Sequence, residues 1–215
     1  MLPTPRSVLT LAALVAVACA PGTDPTPDAG APAGPKYEVW TLDQGLNRVH
    51  VFDETLTQVG FIQYPDTDGV PHMIDFTDDY AYAFVAHTAG AKTSVIRTSD
   101  RQVVARLDTG AGSHMARVTR GKNQVLVDVI GTGTIQEVTF DLAKEEFTLG
   151  RSLKIADDET FAQRAELFGG SKPVCHELSA DGKKAYVTLG PAWTEAGLVI
   201  LDTETFKLTK VFPPN

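Results

Sequence analysis

Three segments of this chain align without a gap: PHMIDFTDDYAYAFVA from Pro71, SHMARVTRGKNQVLVD from Ser113 and PVCHELSADGKKAYVT from Pro173. Each carries an apolar residue, then Thr or Ser, then a polar turn, then an aromatic or aliphatic residue followed by valine. A further strand-like pattern follows in every copy and occurs once more upstream, as VHVFD, TSVIR, QEVTFD and LVILD. These end at Asp53, Arg97, Asp141 and Asp202, at intervals of 44, 44 and 61 residues. Self-similarity of this kind means one supersecondary unit used repeatedly, each copy burying its faces against the next.

The last copy, Pro173–Leu208, reads most plainly. PVCHELS, KKAYVTL, GLVILD and FKLTKVF are alternating or apolar runs of strand length, separated by turn residues. Asp181-Gly182 between two such runs predicts a tight two-residue hairpin, because both positions tolerate positive φ. Four strands per repeat at a period near 44 is the signature of a β-propeller blade. The expected fold is therefore all-β, with about four blades of four antiparallel strands over 37–64, 71–108, 113–154 and 173–213. Longer spacing before the last copy is taken up by ADDETFAQRAELFGG (156–170). Its acidic start, Phe161, Ala165 and Phe168 at helical spacing, and terminal Gly-Gly predict a short helical insertion packed on the rim.

Pro71-His72, SADGKKAYVT, TSVIRTSDRQVVARL and VILDTET together resemble the YVTN-type repeat of bacterial seven-bladed propellers, a lactonase-like superfamily. The resemblance runs over essentially all of 37–213. It implies architecture more than activity, since such propellers serve as surface proteins, binding modules and occasionally enzymes. The count departs from the family: Tyr37 enters at the second strand of a blade, and about 15 strands stand against about 28 in a seven-bladed ring. Three expectations follow: a fragment of a longer propeller, self-association of copies into a closed ring, or a small four-bladed ring with one thin blade.

The N-terminus predicts export. Residues 1–18 hold one cation, Arg6, and an apolar run from Val8 to Ala18, too short to span about 30 Å of hydrocarbon as a helix. Ala16-Val17-Ala18-Cys19 resembles the lipobox of bacterial lipoproteins, which implies cleavage before Cys19 and lipidation of its thiol. Residues 19–36 are rich in Ala, Pro and Gly and read as an anchor and extended spacer ahead of the 37–215 domain. The localisation expected is extracytoplasmic, at a membrane held through the N-terminal lipid. The chain's net charge is −8, and removing Arg6 with the leader makes it −9. With no basic run, nucleic acid is excluded as a partner.

Site candidates are few. His72 and His114 occupy one repeat position on the innermost strand, with Val174 in the third copy. With His176, two residues further along, they are a candidate divalent-metal set on the central channel, although Pro-His is common at this place in the resembled repeats. His87, read in a loop after a second strand, and Trp193, in GPAWTEAG, are candidate ligand contacts on a rim. Cys175, the one other cysteine, reads as a buried inert thiol. Asp53, Asp141 and Asp202 read as turn formers. The Gly-rich pieces 109–113 and 131–134 open no helix, so they cradle no phosphate.

No catalytic constellation stands out. The function expected is a non-enzymatic binding module at the cell envelope for a protein or small ligand. The alternatives are a propeller enzyme (a lactonase-like hydrolase or metal-dependent oxidoreductase) or a metal-binding protein using the channel histidines.

Overall fold

Among the described residues, alternating and apolar runs of five to nine residues, punctuated by turns, form fifteen strands in four antiparallel sheets. A computed structural model describes residues 37–170, 172–190 and 196–213. The first blade has three strands, β1 (Val39–Asp43), β2 (Arg48–Phe52) and β3 (Gln58–Gln63). The second has β4 (Pro71–Phe76), β5 (Tyr82–His87), β6 (Lys92–Arg97) and β7 (Gln102–Leu107). The third has β8 (Ser113–Val118), β9 (Gln124–Val129), β10 (Thr134–Asp141) and β11 (Glu146–Lys154). The fourth has β12 (Lys172–Leu178), β13 (Lys184–Gly190), β14 (Gly197–Asp202) and β15 (Lys207–Phe212). In every blade the strands pair in chain order.

Burial of the second strand records how many neighbours a blade has. β5 (YAFVAH) and β9 (QVLVDV) are buried at every residue, because the middle blades are covered on both faces. β13 (KAYVTLG) alternates instead, with Lys184, Tyr186 and Thr188 exposed, because only one of its faces is covered among the described residues. Three apolar cores lie between consecutive blades. Val49, Ile62 and Tyr64 meet Ala83, Val85 and Ile96; Phe84 and Val95 meet Val127 and Phe140; Leu126 and Ile135 meet Val187 and Val199. Trp40 of β1 stands edge-on to Phe76 of β4 at 5.6 Å.

The inner turns correct one expectation. Asp181-Gly182 is not a two-residue hairpin: only Gly182 has positive φ, and its N–H donates to Ser179 O within a wider loop that Ser179 N closes on Lys184 O. Thr77 and Tyr80 repeat this bonding in the second blade. The hydroxyls of Thr77 and Ser179 also bind the carboxylate two residues on, at 2.6 Å in both. Asp53, Asp141 and Asp202 accept backbone N–H groups of the residues that follow them, as turn formers do.

The helical insertion is present but broken. Two 3₁₀ turns, Ile155–Asp157 and Ala165–Phe168, flank one α-helical turn, α1 (Glu159–Ala162). Arg164, at φ −137°, interrupts it. Ile155, Phe161 and Phe168 are buried in the core of the last two blades. Asp158 caps α1 through Thr160 N and, with its other oxygen, accepts Leu208 N at 3.1 Å. Thr160 Oγ1 donates to Leu208 O at 3.2 Å. The insertion thus occupies backbone groups of the outer strand of the fourth blade, which covers part of that edge.

Candidate functional site

The inner strands share one irregularity. Pairing of β4 with β5, β8 with β9 and β12 with β13 slips by one residue at the same repeat position, leaving His72, His114 and Val174 as the extra residue of a bulge. A bulge frees its residue from the regular alternation and re-aims the side chain. Glycines let the adjoining loops close tightly beneath it. A Cβ on Gly131 would lie 2.2 Å from Ala111 O, and one on Gly90 1.9 Å from Asp68 O. The Gly-rich pieces therefore serve close backbone approach at this rim.

The two re-aimed imidazoles meet. His72 Nε2 and His114 Nε2 lie 2.9 Å apart, with ring centroids at 4.2 Å. Gln44, in the loop between β1 and β2, places Nε2 2.6 Å from His72 Nδ1. Cys175 Sγ on β12 lies 3.6 Å from His114 Nδ1. One polar row, Gln44–His72–His114–Cys175, so crosses four blades. Partial burial, with His114 beside it, holds the His72 imidazolium below its usual range. Burial, reinforced by Asp128, pushes the Cys175 thiol up, which makes it a poor nucleophile at neutral pH.

Further along the inner strands, consecutive blades are joined by charged groups. Asp75 Oδ2 accepts Val118 N at 2.9 Å, and Arg117 Nη2 donates to Glu177 at 2.8 Å. Asp78 accepts from Arg120 Nη1 and Gly121 N, both at 2.8 Å. These contacts fix the blades against each other.

Not every predicted site residue joins the row. His176 lies apart, fully buried, with Nδ1 2.6 Å from Asp128 Oδ2 of β9. The bulge at Val174 explains why: strand alternation does not carry across it, so His176 turns into the interface between blades. His87 is not a solvated loop residue. It ends β5, has no exposed surface, and is held by Ser94 Oγ (2.9 Å), Gly69 O (3.3 Å) and the edge of Tyr64. Burial keeps its imidazole neutral by lowering its pKa. Trp193 and Cys19 lie outside the described residues. Among the described residues no group of three or more His, Cys, Asp or Glu is arranged around a metal position. None of their helices is long and apolar enough to cross a membrane.

Sequence reasoning missed Gln44, which carries no signal. It read Cys175 as a buried inert thiol, and the structure leaves that thiol only partly buried and sets it beside His114, a neighbour the sequence did not show. Sequence reasoning also missed Asp128, although an acid inside the apolar run QVLVDV was a signal that it needs a partner. A cavity of about 430 Å³ lies elsewhere, between β11, the insertion and β15, lined by Arg151, Asp157, Thr160, Phe206 and Lys207 among others.

No protein-family model and no curated protein matches the sequence. Solved structures do. Hydrazine synthase of Kuenenia stuttgartiensis superposes with a TM-score of 0.66 at 16% identity over 82% of this chain and 46% of its own. A putative 6-phosphogluconolactonase of Bacteroides fragilis gives 0.62 at 12% identity, over 83% and 52%. The β-propeller domain of Cps50 (Swd1) from Myceliophteria thermophila gives 0.57 at 11% identity, over 81% and 56%. The chain spans about half the length of these structures, and the likeness shows that it has the β-propeller fold.

Proposed function

We propose that this chain is a non-catalytic binding module, built on YVTN-type repeats and carried outside the cytoplasmic membrane by a lipid on Cys19. The ligand, a protein segment or small molecule, sits on the rim where Gln44, His72 and His114 converge. One observation carries this reading: bulges at equivalent positions of β4 and β8 bring two imidazoles of adjacent blades to 2.9 Å. A bulge repeated at one rim is the kind of device that re-aims side chains toward a partner. Both rings are only partly buried, so a ligand can reach them.

Titration with cell-envelope peptides and glycan fragments, read by imidazole ¹H–¹⁵N spectra, tests the rim. A ligand that shifts the His72 and His114 signals together is the expected result. Ligands whose shifts fall only elsewhere would overturn it. Export is tested separately by labelled palmitate, which should enter the unaltered chain and not Cys19→Ala; label in neither removes the anchor.

A further inference from the structure

We infer that the His72–His114 pair is one half of a divalent-metal site suited to a tetragonal ion such as nickel(II), with Gln44 and Cys175 orienting the rings. The inference rests on the rim being the binding site, and names the ligand chemistry it takes.

The argument begins with geometry. The Nε2 atoms stand 2.9 Å apart. With metal–nitrogen bonds of about 2.0–2.1 Å, an ion touching both subtends about 90° between them. That is the cis angle of square-planar or octahedral coordination, the preference of nickel(II) and copper(II). A tetrahedral zinc ion would need the two nitrogens about 3.3 Å apart.

The outer ring nitrogens are already supported. Gln44 lies 2.6 Å from His72 Nδ1 and Cys175 Sγ lies 3.6 Å from His114 Nδ1. Without metal, the Gln44 amide donates to His72 Nδ1. The His72 proton then sits on Nε2 and is donated to His114 Nε2, which leaves the His114 proton on Nδ1, facing sulfur. With metal on both Nε2 atoms, His72 carries its proton on Nδ1, and the Gln44 amide turns to accept it through Oε1. One proton changes place within one ring and no other group changes charge. Partners on the far nitrogen are what fix ligating histidines in metal sites. Cys175 lies on the Nδ1 side of His114, away from the gap between the Nε2 atoms, so it orients a ring and does not ligate. His176, committed to Asp128, takes no part.

Two protein nitrogens leave the remaining coordination positions to water or to a donor atom of the bound partner. The site is therefore exchangeable and shared, and the partner class it fits carries a carboxylate, imidazole or amide donor.

Calorimetry of the untagged full chain with nickel chloride and zinc chloride tests the inference. One equivalent of nickel should bind, about tenfold or more tighter than zinc, since the preset angle disfavours tetrahedral coordination. His72→Ala and His114→Ala should each abolish uptake, Gln44→Ala should weaken it about 10–100-fold, and His50→Ala should leave it unchanged. In the unaltered protein, nickel should broaden the imidazole signals of His72 and His114 and of no other histidine, a readout that survives any failure of a variant to fold. Absent nickel uptake, tighter zinc, or broadening centred on another histidine overturns the metal site. An envelope ligand that shifts both imidazoles without metal would still leave the binding rim standing.

Discussion

His176 Nδ1 lies 2.6 Å from Asp128 Oδ2, with both side chains wholly buried where the fourth blade meets the third. The remaining polar atoms, His176 Nε2 and Asp128 Oδ1, have no protein partner. Removing one member strands the other in an apolar surrounding. His176→Leu or Asp128→Leu should each cost about 3–5 kcal/mol in urea unfolding. The double Leu variant should cost less than the sum, because it leaves no orphaned group. Simple additivity would show that the two do not act as a pair.

Glu137 predicts an acid limit. It stands on β10 opposite a bulge of β11 formed by Gly150 and Arg151, and it accepts from Arg151 Nε and Nη2 (2.8 and 2.5 Å), Arg151 N and Gln124 Nε2. Arg151 continues to Thr203 O and Glu204 O and lies over the Phe206 ring, so the cluster ties the third blade to the fourth. The Arg151 guanidinium holds the Glu137 carboxyl down at about 2, from an ordinary 4.5. A carboxylate lowered on folding stabilises fully above its unfolded value and progressively less below it. The contribution should therefore fade between about pH 4.5 and pH 2. Glu137→Gln should flatten the stability–pH curve in that window, and an unchanged slope would refute the assignment.

His87 should set the upper end of acid sensitivity. Burial lowers its imidazole below 6.5, so the unfolded chain takes up a proton that the folded chain refuses. Stability is thus complete above about pH 6.5 and falls as pH drops below it. His87→Phe should remove that dependence even if it costs stability overall, since the Ser94 hydroxyl keeps Tyr64 Oη but loses His87 Nε2. A variant retaining the same slope would exclude His87 as the source.

Cys175 should alkylate slowly at neutral pH. Burial raises its thiol above the ordinary cysteine range, and the thiolate is the reacting form. The iodoacetamide rate should climb through and beyond pH 9, and a plateau near neutrality would contradict the raised thiol.

Self-association is expected of this chain. Leu56, Val59 and Phe61 of the first blade are 68%, 44% and 52% exposed, and β1 is an unpaired sheet edge among the described residues. The mass measured by light scattering should rise with concentration, less steeply for Phe61→Asp. A monomer at every concentration would refute it.

The blades were legible because their information is local. YAFVA, QVLVD and KKAYVT are strands by alternation or apolar run, and even the contrast between buried β5 and half-exposed β13 is written in which positions are polar. The aspartates after Phe52, Phe140 and Leu201 announced their turns through side chains that bond nearby backbone. The site was only half legible. Alignment placed His72 and His114 at one repeat position, but the same reasoning set His176 beside them and His87 in a loop. A one-residue bulge on β12 sent His176 to Asp128 in the next blade, and close packing of β5 on both faces buried His87. Gln44 reached His72 only through the stacking of the first blade on the second. Sequence period alone determined the repeating sheet, because strand pairing within a blade depends on neighbours in the chain. Which side chains meet between blades was decided by bulges and loop closure, which bring together residues as far apart in the chain as His114 and Cys175, 61 positions, or Lys122 and Thr203, 81 positions.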